Sequence, residues 1–244
     1  MTKPSILICV PAYGQTMMAQ TAEALFSTGQ WLTRQGINNA LSWYSGADIE
    51  EIRNLFVTSW YDGRKEFSHL LFVDSDMGFH PALIRDMIKF DKPLMGVLYA
   101  KRKAEPGIVG MLAEGHSTKD IVHGFMRSEG LGCGVMMIRR DVITKMLEKM
   151  PFLSKPIQKS LAEAAPGMNL TRIIHAFDKL KNDEYQLSED MSFCRRWVSG
   201  CDGEIWANVA HRISHVGPFD YAIRYQGIME SNEAAKAAAA QEAA

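Results

Sequence analysis

Three short apolar runs constrain this chain more than anything else in it: Ser5-Ile6-Leu7-Ile8-Cys9-Val10, Leu70-Leu71-Phe72-Val73 and Pro93-Leu94-Met95-Gly96-Val97-Leu98-Tyr99. A strand that is apolar at successive positions, rather than at every second one, is covered on both faces and reads as parallel. Helical spacing lies between the runs. Met18, Ala22, Leu25 and Leu32 recur between Thr16 and Gln35, with Gly36 as a stop. Asp48 is placed to N-cap a helix that turns Ile49, Ile52, Leu55, Phe56 and Trp60 inward. Pro81 suits the first turn of a third helix, with Ala82, Leu83, Met87 and Ile88 as its apolar side. Asn39 to Tyr44 is a short strand candidate. Alternating strands and helices predict an α/β fold with a mostly parallel central sheet flanked by helices. Ile121 to Met126 adds a strand of a smaller antiparallel section.

The chain has 244 residues, enough for one large α/β domain, expected over residues 1–230 with an Ala-rich tail at 231–244. A net charge of −1 gives no general attraction to nucleic acid or to an anionic membrane. Cys9, Cys133, Cys194 and Cys201 lack paired metal spacing, and Cys9 and Cys133 read as core thiols. No apolar run reaches the length of a membrane span, and no signal peptide is visible, so the expected setting is cytoplasmic.

Chemistry concentrates where the second run ends, at Asp74-Ser75-Asp76. If the strand continues through them, alternate side chains share a face, which brings the two carboxylates together with Ser75 turned away. Such a pair repels unless a cation or proton lies between, and Mg²⁺ or Mn²⁺ favours carboxylates together with substrate phosphates. The alternative is a strand ending in a polar turn. Pro11-Ala12-Tyr13-Gly14 ends the first strand, at the edge where open α/β sheets place ligands. Arg53 and Asn54 form either a solvated helix face or a phosphate or ribose contact. The Lys101-Arg102-Lys103 triplet ends the third run and can neutralise phosphate, or it is a solvated turn.

Gly130-Leu131-Gly132-Cys133-Gly134 implies close backbone approach, to a ligand or to a neighbouring strand, and lacks the lysine and Ser/Thr of a P-loop. Residues 151–183 have no single period and are where a specificity insertion or lid belongs, with helical pieces expected over Ile157 to Ala164 and Leu170 to Leu180, broken by Pro156, Pro166 and Gly167. Ser188 is a candidate N-cap followed by Glu189 and Asp190, which either suit the helix dipole or supply a general base. His215 is a buried partner or a metal ligand.

In order, Val10-Pro11-Ala12-Tyr13-Gly14, Arg53-Asn54, Phe72-Val73-Asp74-Ser75-Asp76, Gly132-Cys133-Gly134, Ser188-Glu189-Asp190 and His215-Val216-Gly217 resemble the GT-A glycosyltransferases, more narrowly the small single-domain ones of bacterial and phage genomes. The likeness runs from about Ile6 to Gly217, with Pro151 to Asp183 outside it. It implies a GT-A-type (Rossmann-like) sheet and a metal-dependent transfer of sugar from a nucleotide-diphosphate sugar, UDP-sugar favoured, to an acceptor hydroxyl with inversion. It places Pro11, Ala12 and Tyr13 at base and ribose, and Arg53 and Asn54 on the nucleotide. Asp76 becomes the main ligand of Mn²⁺ or Mg²⁺, with Asp74 on ribose or metal and His215 completing the shell. Lys101 or Arg102 stabilises the diphosphate, Gly132 and Gly134 lie beneath sugar and acceptor, and Asp190, with Glu189 second, is the base. The acceptor stays open among glycan, protein, small molecule and modified phage DNA. A nucleotidyltransferase acting on a sugar phosphate lacks here the Gly-rich basic loop it needs after the first strand. A non-catalytic nucleotide-binding module is the remaining alternative.

Overall fold

The computed structural model describes residues 3–103, 107–159, 170–181, 185–217 and 220–242. Its centre is an eight-stranded sheet. The first three strands are β1 (Ile6–Pro11), β2 (Asn39–Tyr44) and β3 (His69–Val73), with β1 parallel to both neighbours. Helices α1 (Ala19–Arg34) and α2 (Ile49–Thr58) connect them, and α3 (Ala82–Phe90) leads into β5 (Leu94–Val97). The strand β10 (Val135–Arg139) runs antiparallel between β3 and β5 and continues into α4 (Arg140–Lys149), and β13 (Ile205–Asn208) is parallel to β5. The antiparallel strands β9 (Phe125–Gly130) and β8 (Met111–Leu112) close the far edge. This is the α/β arrangement that the alternation of runs and helices predicts, with β2, β1, β3, β5 and β13 all pointing one way.

The apolar runs are buried because helices cover both faces. Leu7, Cys9, Leu70 and Phe72 face one core with Phe56 of α2, with Trp60 in the helical turn just after it, and with Phe193 and Trp197 of α5 (Glu189–Cys201). Ile6, Ile8, Val10, Leu71 and Val73 face the other with Leu25 and Leu32 of α1 and with Leu83, Ile84 and Met87 of α3. The period-two division of each strand between two cores fixes its register, since a one-residue slip exchanges every contact. All four cysteines are buried and free.

Three small antiparallel sheets complete the structure. One pairs β4 (Met77–Phe79) with β14 (Ile213–Val216), and β14 with β15 (Asp220–Ile223). A second joins β6 (Tyr99–Ala100) to β7 (Ile108–Val109). The third pairs β11 (Ser154–Pro156) with β12 (Arg172–Ile174). This last sheet corrects the helix expected over Leu170 to Leu180: strand pairing takes Arg172–Ile174, and Thr58 Oγ1 on α2, which donates to Asn54 O at 2.7 Å, accepts the Ile174 N–H at 2.8 Å. Most of the helix expected over Ile157 to Ala164, with Pro166 and Gly167, lies outside the described residues. The strand expected over Ile121 to Met126 starts later, at Phe125, because the chain first turns at His123 and Gly124, both with positive φ. The Ala-rich tail is helical in α6 (Tyr225–Glu242), docked through buried Met229 and through Glu233, which accepts from Thr118 N and Oγ1 at 2.9 and 2.7 Å. Among the described residues no helix is long and apolar enough to cross a membrane.

Candidate active site

Parallel strands put their carboxyl ends at one edge, and at that edge lies a cleft of about 390 Å³. Pro11 ends β1 and Tyr13 follows it, Gly46 and Ala47 follow β2, and Asp74, Ser75 and Asp76 follow β3. Tyr99 and Arg102 enter after β5, Ile49, Ile52 and Arg53 from α2, Glu189 and Asp190 from the first turn of α5, His215 from β14 and Val109 from β7.

The chain leaves the strand alternation at Val73. Asp74 N–H still donates to Gly134 O at 2.9 Å, and Met77 N–H closes a turn on Asp74 O at 3.2 Å. The two carboxylates therefore do not share a strand face, which corrects that expectation. Each has its own partner. Arg53 Nη2 donates to Asp74 Oδ1 and Oδ2 at 3.0 and 3.3 Å. Arg102 Nη1 lies 3.0 Å from Asp76 Oδ2, and His215 Nε2 lies 3.4 Å from the same oxygen.

The second contact is built by strand pairing. β4 begins directly after Asp76 and pairs with β14 in a register that sets His215 opposite Met77, and Val216 N–H donates to Asp76 O at 2.7 Å. His215 Nδ1 is 2.8 Å from Ala100 O, which assigns a proton to Nδ1 and turns Nε2 toward Asp76, to which it donates when the ring is protonated. Burial works to lower the His215 pKa, but its bonds to Asp76 and Ala100 outweigh that and hold it above the ordinary value. One carboxylate oxygen and one imidazole nitrogen facing each other fit a hard divalent cation that takes its other ligands from phosphate oxygens and water. Asp74 does not join them: among the described residues no group of three or more His, Cys, Asp or Glu side chains is placed to hold a metal.

Arg53 is 3% exposed and sits over the Phe72 ring at 5.4 Å. Its Nε is 3.5 Å from Glu189 Oε1, within ionic reach but beyond hydrogen-bond geometry, and among the described residues Nε and Nη1 have no hydrogen-bond partner. Burial opposes its charge, while Asp74 and then Glu189 keep the guanidinium firmly protonated. Burial raises the Glu189 carboxyl pKa against the pull of Arg53. Ser188 occupies the N-cap position of α5, but its side chain does not cap the helix; its hydroxyl donates instead to Asp190 Oδ1, which also accepts from Met191 N–H at 2.7 Å. One oxygen of Asp190 is fixed in this way, and its Oδ2 has no hydrogen bond among the described residues.

Several expected site residues lie elsewhere. Asn54 faces a neighbouring groove, donating to Asp178 Oδ1 and accepting from Phe177 N–H, each at 2.8 Å, so its amide is used to hold the 177–178 segment on α2. Ala12 is buried with its N–H on Tyr44 O at 2.9 Å. Lys101 is exposed and outside the cleft, its stem lying on Gly107. Gly132 and Gly134 lie behind Tyr99 rather than at the cleft surface: a Cβ on Gly132 would stand 2.3 Å from Tyr99 Oη, and one on Gly134 would stand 2.8 Å from the ring. Tyr99, Gly46 and Ala47 had no assigned role. The carboxyl-end rule that points to Pro11 finds them too, since each follows a parallel strand.

No protein-family model matches the sequence, and no curated protein matches it. Among solved structures the chain is similar to the crystal structure of A197 from STIV, at 16% identity over 87% of this chain and 86% of that one, with a TM-score of 0.50. This likeness is one of fold. At 12% identity and a TM-score of 0.34 are the catalytic domain of Drosophila beta1,4galactosyltransferase 7 in complex with xylobiose, over 59% of this chain and 52% of that one, and a glycosyltransferase involved in the glycosylation of the major capsid of PBCV-1, over 68% and 79%.

Proposed function

We propose that this chain is a metal-dependent glycosyltransferase that moves a sugar from a nucleotide-diphosphate sugar, UDP-sugar favoured, to an acceptor hydroxyl with inversion. The observation that carries the reading is that one cleft at the carboxyl edge of the sheet collects Asp76 with His215, the cationic Arg53 and Arg102, and the carboxylates Glu189 and Asp190. The sequence resemblance to GT-A glycosyltransferases supports it independently. Base and ribose lie against Pro11, Tyr13, Gly46, Ala47 and Ile49. Asp76 and His215 hold Mn²⁺ or Mg²⁺, which supplies positive charge to the diphosphate as it leaves. Arg102, exposed enough to move off Asp76, adds a guanidinium to the same oxygens. Asp74, clamped by Arg53, holds its orientation toward the ribose. Asp190 takes the proton of the acceptor hydroxyl as the new glycosidic bond forms, with Oδ1 fixed by Ser188 and Met191 and Oδ2 open to the acceptor.

The test is turnover of UDP-sugars with and without Mn²⁺ or Mg²⁺. Release of UDP should require the metal and disappear in Asp76→Ala. Metal-independent turnover by that variant removes the proposal.

A further inference from the structure

The cleft contains a polar group that neither the fold nor the roles above use. Tyr99 is 6% exposed, with its ring edge-on to His215 at a centroid distance of 5.1 Å and an interplanar angle of 89°. Among the described residues its hydroxyl has no hydrogen-bond partner, yet the side chain lines the cleft. The hydroxyl is thus open to the cleft, and a ligand that covers it must take over its hydrogen bond from water or leave a buried donor unpaired, which is costly. Fixed groups also hold the ring in place. Gly132 and Gly134 pack so closely that any Cβ there would strike it, at 2.3 Å from Oη and at 2.8 Å from the ring carbons. Arg53 Nη1, also buried and without a hydrogen-bond partner, borders the same cleft.

The position of this hydroxyl follows from its neighbours. His215, on one side, belongs with Asp76 at the diphosphate. Asp190, on the other, is the carboxylate that meets the acceptor. In a transfer between these two points the sugar lies in between, over Tyr99. We infer that Tyr99 is a specificity-determining residue whose hydroxyl hydrogen-bonds the sugar moiety of the donor, and that Gly132 and Gly134 serve the sugar indirectly, by leaving room for that ring. This rests on the proposed transferase reading. A site built to hydrogen-bond a substrate hydroxyl discriminates strongly, because a ligand without the hydroxyl leaves a buried donor unpaired.

The experiment compares wild type and Tyr99→Phe, which keeps the ring and removes only the hydroxyl. Ligand-induced thermal shifts are measured in Mn²⁺ with matched pairs: UDP against UDP-glucose and UDP-galactose, and GDP against GDP-mannose. Wild type should be stabilised more by one sugar nucleotide than by its parent diphosphate. Tyr99→Phe should lose that extra shift, with affinity for the sugar nucleotide falling about tenfold and affinity for the diphosphate unchanged. Its melting temperature without ligand should match wild type, since no protein contact is removed. An unchanged sugar-dependent shift overturns the inference, and so does equal loss for the parent diphosphate, which would put the hydroxyl on phosphate or ribose. If neither diphosphates nor sugar nucleotides stabilise wild type, the transferase reading itself fails, and that outcome is distinct from both.

Discussion

Arg102 Nη1 lies 3.0 Å from Asp76 Oδ2, the oxygen that His215 Nε2 also approaches, so a cationic side chain stands where the proposed metal would bind. Arg102 is nearly half exposed, and ion pairs of this kind contribute about 0–1 kcal/mol. The pair can therefore open readily. Removing the arginine frees Asp76, so in Arg102→Ala the affinity of the nucleotide-free protein for Mn²⁺ should rise about two- to fivefold. Calorimetric titration of Mn²⁺ measures this directly, and an unchanged affinity means that the guanidinium and the metal do not compete.

Asn54 distinguishes a structural role from a ligand contact. Its amide joins α2 to the segment after β12 through Phe177 N–H and Asp178. Asn54→Ala leaves the buried Phe177 N–H unpaired, which costs about 1–3 kcal/mol. Urea denaturation should show that loss, while the affinity for UDP stays within twofold of wild type. A variant of normal stability with lost UDP affinity would return Asn54 to the nucleotide.

The legible and illegible parts of this molecule divide by range. The strands β1 and β3 and the helix α2 carry their signals locally: unbroken apolar runs for the strands, a 3.6-residue period and an Asp48 cap for the helix. In the structure Asp48 does accept Glu50 N–H at 2.9 Å. β12 has no such signal, since Arg172–Ile174 becomes a strand only through β11, whose Pro156 lowers the local strand reading. The same holds in the site. Pro11 and Asp76 stand at strand ends and can be located from the runs alone. The approach of His215 to Asp76 depends on β4 pairing with β14, across most of the chain. Tyr99 is the converse case. It closes an apolar run and reads as core, and only the folded structure shows that its side chain lines the cleft, with Gly132 and Gly134 leaving room for its ring.

Glu189 gives stability a defined pH dependence. Burial raises its folded-state pKa above the unfolded value, and Arg53 only partly offsets this. The folded protein thus binds this proton more tightly than the unfolded chain. The contribution to stability is fully present below the unfolded pKa and is lost as pH rises through the folded one. Glu189→Gln removes the charge and retains the shape, so it should melt higher than wild type at pH 7.5, with the difference shrinking toward pH 4.5. Thermal melts at the two pH values check the sign. A variant that melts lower at pH 7.5 would show that the Arg53 contact at 3.5 Å outweighs burial.

Asp190 separates chemistry from binding. Ser188 and Met191 N–H both engage Oδ1, so the carboxylate is oriented without an ion pair to any cation among the described residues. Asp190→Asn keeps the size of the group and removes its basicity. General-base assistance contributes about 10²–10⁴-fold to rate, so kcat for sugar transfer should fall by that factor while the donor KM changes little. Steady-state kinetics with the donor varied separates the two constants. In the same assay Glu189→Gln should retain most of kcat, because Glu189 faces Arg53. The reverse pattern, with Glu189→Gln inactive and Asp190→Asn active, would move the base to Glu189 and leave Asp190 as a residue that orders the first turn of α5.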